Sequence, residues 1–180
     1  MPTLIGSSTS EFATLTQLRE HLNITTAVHD PELQQFLGAA QEHVEQLIGP
    51  VLRREVAEEC EVVGGTVYLE QSPVISVASV AVGGSALSGW VLKERSGLIR
   101  KVSASSPVTV TYTAGRLICP DAVIVATLII AEHLWRTQLG GSPSALPLDD
   151  PSGAPWSAGF ALPKRALDLL APYLLPPGVA

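Results

Sequence analysis

Hydrophobic residues recur every three or four positions in two long stretches of the chain, which is the spacing of one face of a helix. The first stretch has Gln and Glu between its apolar residues, and we predict an amphipathic helix over 31–48 that is capped by Asp30 and ended by Gly49-Pro50. The second stretch, 121–139, is apolar on nearly all sides in its first half. It therefore predicts a helix that is buried by several neighbours.

A shorter helix precedes the first of these. Thr14 followed by Gln17 fits a capping box for a helix that ends near Asn23, and we expect residues 1–11 ahead of it to fray. Within the 31–48 helix, Gln41 lies among the polar residues, so we expect it to tolerate substitution. The buried stripe of that helix is predicted to consist of Leu33, Phe36, Leu37, Ala40, Val44, Leu47 and Ile48.

Between residues 54 and 113 the hydrophobic period changes from that of a helix to that of a strand. Gly-Gly, Ser-Pro and Ser-Gly pairs separate the apolar runs at intervals that suit an antiparallel meander, with Gly64-Gly65 and Gly83-Gly84 as hairpin turns. We expect the helix that starts at Asp121 to cover the resulting sheet. The predicted strands are 56–63, 66–70, 74–82, 90–92, 98–102 and 108–113.

The last part of the chain changes character again. The segment 140–161 has no periodicity, and more than half of its residues are Gly, Ser or Pro; after it, Pro163 is predicted to open a short helix. Together these features predict an α+β fold: a small helical bundle with an inserted antiparallel β region and a C-terminal arm. We assign residues 1–139 to a helical domain with the β insertion at about 54–113, and residues 140–180 to a flexible loop and a C-terminal helix that form the arm.

Composition narrows the classes of function. The chain of 180 residues has 11 Lys and Arg against 17 Asp and Glu, a formal net charge of −6, which argues against a protein that holds nucleic acid through its overall charge. Charged residues make up 16% of the chain and hydrophobic residues 46%, so little charge is available to cover a solvent-exposed surface. We therefore expect part of the surface to be buried against other subunits, with a compact monomer of bland polar surface as the alternative.

Cellular location is bounded by the cysteines and by the apolar runs. Cys60 and Cys119 are far apart in sequence, so neither a disulfide framework nor a zinc site is predicted. The first residues lack the basic start and the long apolar run of a signal peptide, and the most apolar stretch, 122–131, is shorter than the about 20 residues of a membrane-spanning helix. We expect a protein of the reducing cytosol with no membrane partner.

Residue types that carry catalysis occur without the spacing that catalysis requires. Ser157 lies in a Pro-Trp-Ser-Ala-Gly sequence that matches a nucleophile elbow only in part. Four histidines are present without the spacing of a metal-ligand pair: His21, His29, His43 and His133. Four carboxylates alternate faces on a predicted strand, and we interpret them as a solvated surface: Glu55, Glu58, Glu59 and Glu61. We expect no enzyme activity, no cofactor and no metal.

Small groups of basic residues leave alternatives open. An aromatic ring beside phosphate-binding side chains is how single strands are held, so a small nucleic-acid-binding accessory domain is the alternative function. Its candidate contacts are Trp90, Lys93, Arg95, Arg100 and Lys101. The structural interpretation instead makes Trp90 a core or hairpin anchor whose charged neighbours lie in water. A small hydrolase is a further alternative, which would need a cleft with a perturbed acid or base.

The order of the sequence features carries a resemblance. A T-L-x-Q-L-R-E-H-L-N-I segment (14–24) precedes D-P-E-L-x-x-F-L-x-A-A-x-E-x-V-E-x-L-I-G (30–49), and later Y-T-A-G (112–115) and C-P-D-A-V (119–123) lead into A-E-H-L-W-R (131–136). L-P-K-R-A-L-D-L-L-A-P-Y (162–173) closes the series. In this order, over nearly the whole chain, the motifs resemble those of the head-to-tail connector (adaptor) family of tailed phages, which includes the gp6-like proteins. The segment 140–161 is longer than the short link expected in that family.

The resemblance implies a structural protein of the virion neck with no enzyme activity. Such a protein assembles in the host cytoplasm into an oligomeric ring, usually a dodecamer. The ring binds the portal protein on one side, and the tail or a further neck protein such as a stopper or tail terminator on the other. DNA passes through the lumen without specific binding, and a net negative chain suits such a channel.

The C-terminal helix is the candidate interface. It is too short to be stable as an isolated helix in water, so its apolar surface must dock on another surface. We predict that it docks on an adjacent subunit or on the portal, and docking on the chain's own core is the alternative. The candidate interface residues are Leu162, Pro163, Leu167, Leu170 and Tyr173.

Overall fold

The computed structural model describes residues 3–4, 11–93, 97–104, 107–138 and 162–174. Over these residues the helices are α1 (Leu15–Leu22), α2 (Asp30–Ile48), α3 (Asp121–Gln138) and α4 (Lys164–Leu170), and α4 is followed by a 3-10 turn, Ala171–Tyr173. The strands are β1 (Thr3–Leu4), β2 (Arg54–Cys60), β3 (Thr66–Tyr68), β4 (Val74–Val82), β5 (Ser85–Ala86), β6 (Val91–Lys93), β7 (Leu98–Arg100) and β8 (Val108–Ala114). The α+β class that the sequence predicts is confirmed.

The chain divides into two compact units. The β unit contains residues 1–12, 43–120 and 173–180, and the helical unit contains residues 13–42 and 121–172. The boundary between the units falls inside the sequence of α2, and α4 belongs to the helical unit. The separate arm predicted to begin at residue 140 stays a prediction, because residues 139–161 lie outside the described ranges.

The β unit consists of antiparallel sheets whose strands do not pair in chain order. The larger sheet has the order β1-β2-β8-β4-β5, and the smaller has the order β3-β7-β6. Strand β8 lies between β2 and β4, with Tyr112 opposite Val56 on one side and Val77 on the other. The predicted meander is therefore wrong: Gly64 and Gly65 do form a tight turn after β2, but the turn leads into a strand of the other sheet.

One apolar cluster holds the two sheets together. The larger sheet contributes alternate residues of β2, β4 and β8, and the smaller contributes Val67 and Ile99. All members of the cluster lie between residues 56 and 114, so the cover of the larger sheet is the smaller sheet, and the expectation that the helix from Asp121 provides this cover is wrong. The fully buried side chains of the larger sheet are Val56, Val80, Val108, Val110, Tyr112 and Ala114.

The N-terminal residues take part in the sheet. Thr3 and Leu4 of β1 lie opposite Ala57 and Val56 of β2. The expectation that the whole segment 1–11 frays is therefore wrong for these two residues. A strand of two residues escapes notice in a sequence because it is too short to show alternation.

Helix α1 begins as its sequence predicts. The N–H of Thr14 donates to Oε1 of Gln17 at 2.8 Å, and the N–H of Gln17 donates to Oγ1 of Thr14 at 3.3 Å, which is a capping box. Asn23 ends the helix in the left-handed conformation. Among the described residues, no helix is both long and apolar enough to cross a membrane.

Helix α2 confirms the predicted stripe and corrects the expectations for Gln41 and Asp30. Leu37 and Val44 are fully buried, as the stripe requires. Gln41 is also buried, and its Oε1 accepts the N–H of Ala13 at 3.3 Å, so the expectation that it tolerates substitution is wrong. Asp30 is the first residue of the helix and not its cap, because the carbonyl of His29 before it already accepts the N–H of Leu33 at 2.9 Å. The carboxylate of Asp30 lies 3.5 Å from Nη1 of Arg19.

Candidate assembly surfaces

The loop between β8 and α3 is held by its own backbone. The N–H of Gly115 donates to the carbonyl of Pro73 at 2.8 Å, and the N–H of Arg116 donates to the carbonyl of Val51 at 3.2 Å. Gly115 has a φ of +102°, a conformation that residues with a side chain rarely adopt. These contacts fix the start of the loop against the segment that follows α2.

The side chain of Arg116 also binds this loop to the end of α2 and the residues after it. Its Nη2 donates to the carbonyl of Ile48 at 3.1 Å and its Nη1 to the carbonyl of Pro50 at 3.0 Å, and the guanidinium lies 5.8 Å from the ring centre of Tyr173. A cation beside the last carbonyls of a helix complements the helix dipole. Burial lowers the pKa of Arg116 from its ordinary value of 12.5, although the group stays charged at neutral pH.

The next two residues of this anchored loop point into solvent. Leu117 is 74% exposed and Ile118 is 83% exposed. Full burial of a Leu or Ile side chain is worth about 1.5 to 3 kcal/mol, so the chain gains this free energy only if another surface covers the pair. We call this feature the 117–118 loop. The sequence interpretation did not identify this loop. It could have been found as an apolar pair between Gly115 and Pro120 that belongs to no periodic element.

The structure distributes the five candidate residues of the C-terminal helix between the core and the surface. Leu170 is fully buried where α4 packs on α3, so for this residue docking within its own chain is what the structure shows. Leu167, off the buried face of the helix, is 38% exposed, and Leu162, Pro163 and Tyr173 are half-buried. The period of the helix explains the split, because residues 166 and 170 share one face and Leu167 does not lie on it. An interface role for the four surface residues stays a prediction.

One carboxylate that the sequence interpretation placed in solvent lies in the core of the β unit. Glu58 is 4% exposed; its Oε2 accepts the hydroxyl of Tyr112 at 2.6 Å, and its carboxylate accepts the N–H of Glu70 at 3.2 Å. The N–H of Gln71 donates to the same hydroxyl of Tyr112 at 3.2 Å. The interpretation of Glu58 as part of a solvated face is wrong, because Glu58 shares a strand face with buried Val56. The network ties the turn after β3 to the larger sheet.

Burial, together with this network, suppresses ionisation of Cys60 and Tyr112. Burial, followed by the negative charge of Glu58, raises the pKa of the Cys60 thiol from 9.0 to about 12. Burial, followed by the hydrogen bond to Glu58, raises the pKa of the Tyr112 hydroxyl above its ordinary value of 10.0. Both groups are therefore protonated structural members of the core at neutral pH.

The raised pKa of Cys60 predicts a loss of stability at alkaline pH. The thiol of the unfolded chain ionises near pH 9 while the folded protein keeps its proton, so the free energy of unfolding falls above pH 9 by up to about 1.4 kcal/mol per pH unit. Urea unfolding at a series of pH values above 8 measures the slope. Cys60→Ala should have a shallower slope than the parent, and equal slopes would contradict the expectation.

The basic residues of the alternative function occupy different environments. Trp90 is half-buried against the apolar cluster, and its Nε1–H donates to the carbonyl of Leu87 at 3.1 Å, which confirms the interpretation of Trp90 as a core or hairpin anchor in its core form. Lys93, Arg100 and Lys101 are exposed. Arg95 lies outside the described residues. The indole therefore does not form an open stacking platform for a base.

The remaining candidates for chemistry are held in structural contacts where they are described. Nε2 of His21 lies 2.9 Å from Oε2 of Glu132, which links α1 to α3, and the ring of His29 meets Trp135 edge-on at 5.1 Å. Within the described ranges, no group of three His, Cys, Asp or Glu residues is placed to hold a metal ion. Ser157 lies outside those ranges.

Comparison with solved structures gives the class of assembly in which this fold occurs. The fold is that of chains from the neck and the virion of a gene transfer agent particle. No family model matches the sequence, and no curated protein matches it.

The individual structures agree over nearly the whole chain. A chain from the neck of the empty particle, computed with C6 symmetry, has a TM-score of 0.68 and 18% identity, covering 98% of this chain and 96% of its own. A chain from the neck of the native particle, computed with C12 symmetry, has a TM-score of 0.63 and 17% identity with the same coverage. A chain from the native virion has a TM-score of 0.61 and 17% identity, covering 100% of both. At these identities the similarity is one of fold.

Proposed function

We propose that this chain is a structural head-to-tail connector (adaptor), similar to the gp6-like proteins, in the neck of a tailed-phage-type virion. It assembles in the host cytoplasm into an oligomeric ring that joins the portal vertex to the tail, or to the next neck protein, around the DNA channel. The observation that carries the proposal is the agreement of fold with a neck chain over 98% of this chain and 96% of the other. The agreement extends over both units of the chain, so it is not confined to the inserted β region.

Two other observations support a ring. The two neck structures of similar fold were computed with C6 and C12 symmetry, as rings of identical chains are. A subunit of a closed ring must also carry exposed surfaces that neighbouring proteins cover, and the 117–118 loop is such a surface. The net charge of −6 suits a wall that DNA passes without binding.

The test is direct assembly. The purified full chain is examined by negative-stain electron microscopy, alone and mixed with the portal protein encoded by the same genome. We expect an additional ring of density on one face of the portal and co-elution of the two proteins. Portal particles that are unchanged by the chain, with separate elution, would overturn the proposal.

Replacing both residues of the 117–118 loop with serine should abolish stable incorporation into the portal complex and leave the folded subunit intact. Leu117 and Ile118 make little contact with their own chain, so we expect the midpoint of thermal unfolding of Leu117→Ser/Ile118→Ser to stay within a few degrees of the parent. Co-elution with the portal measures incorporation. Val63→Ser, which removes an apolar residue that is 64% exposed in a hairpin turn, is the matched control and should incorporate normally. Normal incorporation of the double variant would contradict the expected role of the loop.

A further inference from the structure

The smaller sheet of the β unit has an outer face that is both basic and apolar. Val67, Leu92 and Ile99 point into the core, so the residues on either side of them in the three strands point outward. Tyr68 is 66% exposed and Val91 is 50% exposed on this outer side. We define the basic face as Thr66, Tyr68, Val91, Lys93, Leu98 and Arg100. Their register places Arg100 between Thr66 and Val91, and Leu98 between Tyr68 and Lys93.

The larger sheet has an acidic outer face of small residues. On β2, Glu55 and Glu59 are exposed and alternate with the buried residues of the same strand. The neighbouring strand β8 presents only threonines on this side. We define the acidic face as Glu55, Ala57, Glu59, Thr109, Thr111 and Thr113. Its outward positions on β2 and β8 include no Lys or Arg.

Three of the charged side chains on these faces belong to no described ion pair. Among the described residues, no ion pair of the chain includes Glu55, Glu59 or Arg100. The ion pair of the β unit, Arg54 with Glu45, lies on neither face. The apolar area of Tyr68 and Val91 is likewise left in solvent, which is a cost that a covering surface removes.

We infer that the basic face of one copy of this chain packs against the acidic face of the next. The two sheets share one core, so their outer faces are on opposite sides of the β unit. Each subunit can therefore use its basic face with one neighbour and its acidic face with another, which is a heterologous contact that closes into a ring or continues as a filament. The threonine-rich face can accept the ring of Tyr68, while the charges set register and orientation. This inference deepens the proposed function and rests on it for the closure of the ring.

Charge reversal tests the pairing on the full chain. Glu55→Lys/Glu59→Lys gives a subunit with two basic faces, and Lys93→Glu/Arg100→Glu gives one with two acidic faces. We expect each variant alone to self-associate at least about tenfold more weakly than the parent in sedimentation velocity at low salt, because like charges then oppose each other. An equimolar mixture of the two should regain association, since every contact is again between opposite charges. The chain that carries all four changes should also regain it.

The outcomes separate this inference from its alternatives. A parent chain that stays monomeric at millimolar concentration, or a mixture that associates no better than its components, overturns the inference. If Lys93→Glu/Arg100→Glu abolishes binding of a single-stranded oligonucleotide and leaves self-association unchanged, the basic face binds nucleic acid instead.

Variants that join the portal complex as the parent does would overturn this pairing and leave the proposed function standing. Restored association of the mixture without any portal binding would support the pairing and contradict the connector function. Thermal unfolding of each variant confirms that it is folded.

Discussion

Replacing Gly115 with alanine is expected to lower the free energy of unfolding by more than about 4 kcal/mol, which is at the extreme for a single substitution. A Cβ at this position would lie 2.7 Å from the carbonyl carbon of Leu52 and 3.1 Å from the nitrogen of Arg53. Both neighbours are backbone atoms, so no side-chain rotation relieves the clash. Relief requires the loop to leave the segment after α2, which breaks the hydrogen bonds from Gly115 to Pro73 and from Arg116 to Val51.

Gly89→Ala is the matched control. Gly89 has a positive φ of +86°, as Gly115 has, but a Cβ at Gly89 would meet no atom within 4 Å. The free energy of unfolding of Gly89→Ala should fall only by the cost of the strained backbone, about 1 to 3 kcal/mol. Chemical denaturation of the two variants measures the difference. Equal losses would contradict the close approach at Gly115.

Glu58→Ala should cost about 3 to 5 kcal/mol, because it leaves two donors to the buried carboxylate without their acceptor, at about 1 to 3 kcal/mol each. The hydroxyl of Tyr112 and the N–H of Glu70 would both lose their acceptor, and a cavity would replace the carboxylate. Glu59→Ala, one residue along the same strand and exposed, is the control and should change stability by less than about 0.5 kcal/mol. Denaturant midpoints of the two variants provide the measurement.

A third variant separates the hydrogen bonds from the packing. Tyr112→Phe keeps the ring and removes only the hydroxyl that Glu58 accepts. It should lose about 1.5 to 3 kcal/mol, the usual contribution of a hydrogen bond to a charged group. A loss for Glu58→Ala no larger than that for Glu59→Ala would contradict the role assigned to the network.

The periodic elements could be predicted from the sequence because burial imposes a regular pattern on them. Helix α2 begins and ends within a residue of its predicted span, and β4 has the bounds predicted for that strand, 74–82. Thr14 and Gln17 identified the start of α1 because a capping box depends only on residues three apart. Local signals of this kind do not depend on the rest of the fold.

The pairing of the strands could not be predicted in this way. The hydrophobic pattern of β8 shows that one of its faces is buried, but it does not say which strands lie beside it. The same limit explains Gln41 and Glu58: a polar residue on a buried face is stable only if a distant group bonds to it, and those groups are Ala13 and Tyr112. For Glu58 a signal was available, since it alternates with Val56 and Cys60.

The exposed surfaces were the least predictable part of the candidate site. Leu117 and Ile118 are apolar residues that the subunit does not bury, so a rule that assigns apolar residues to the core misplaces them. Leu170 shows the opposite case, because it is an apolar residue of a short helix that is buried within the chain. Only the packed structure distinguishes the two cases.

The central position of β8 also sets the order in which the β unit can form during synthesis. Strands β2 and β4 both pair with β8, which is the last strand of the unit to leave the ribosome. At roughly 5 to 20 residues per second, the nearly fifty residues between the end of β2 and the start of β8 take several seconds to translate. From the completion of β4 at residue 82 until β8 is made, the nascent chain holds the two flanking strands without the one that joins them. A chain that stops before residue 108 therefore cannot complete the larger sheet.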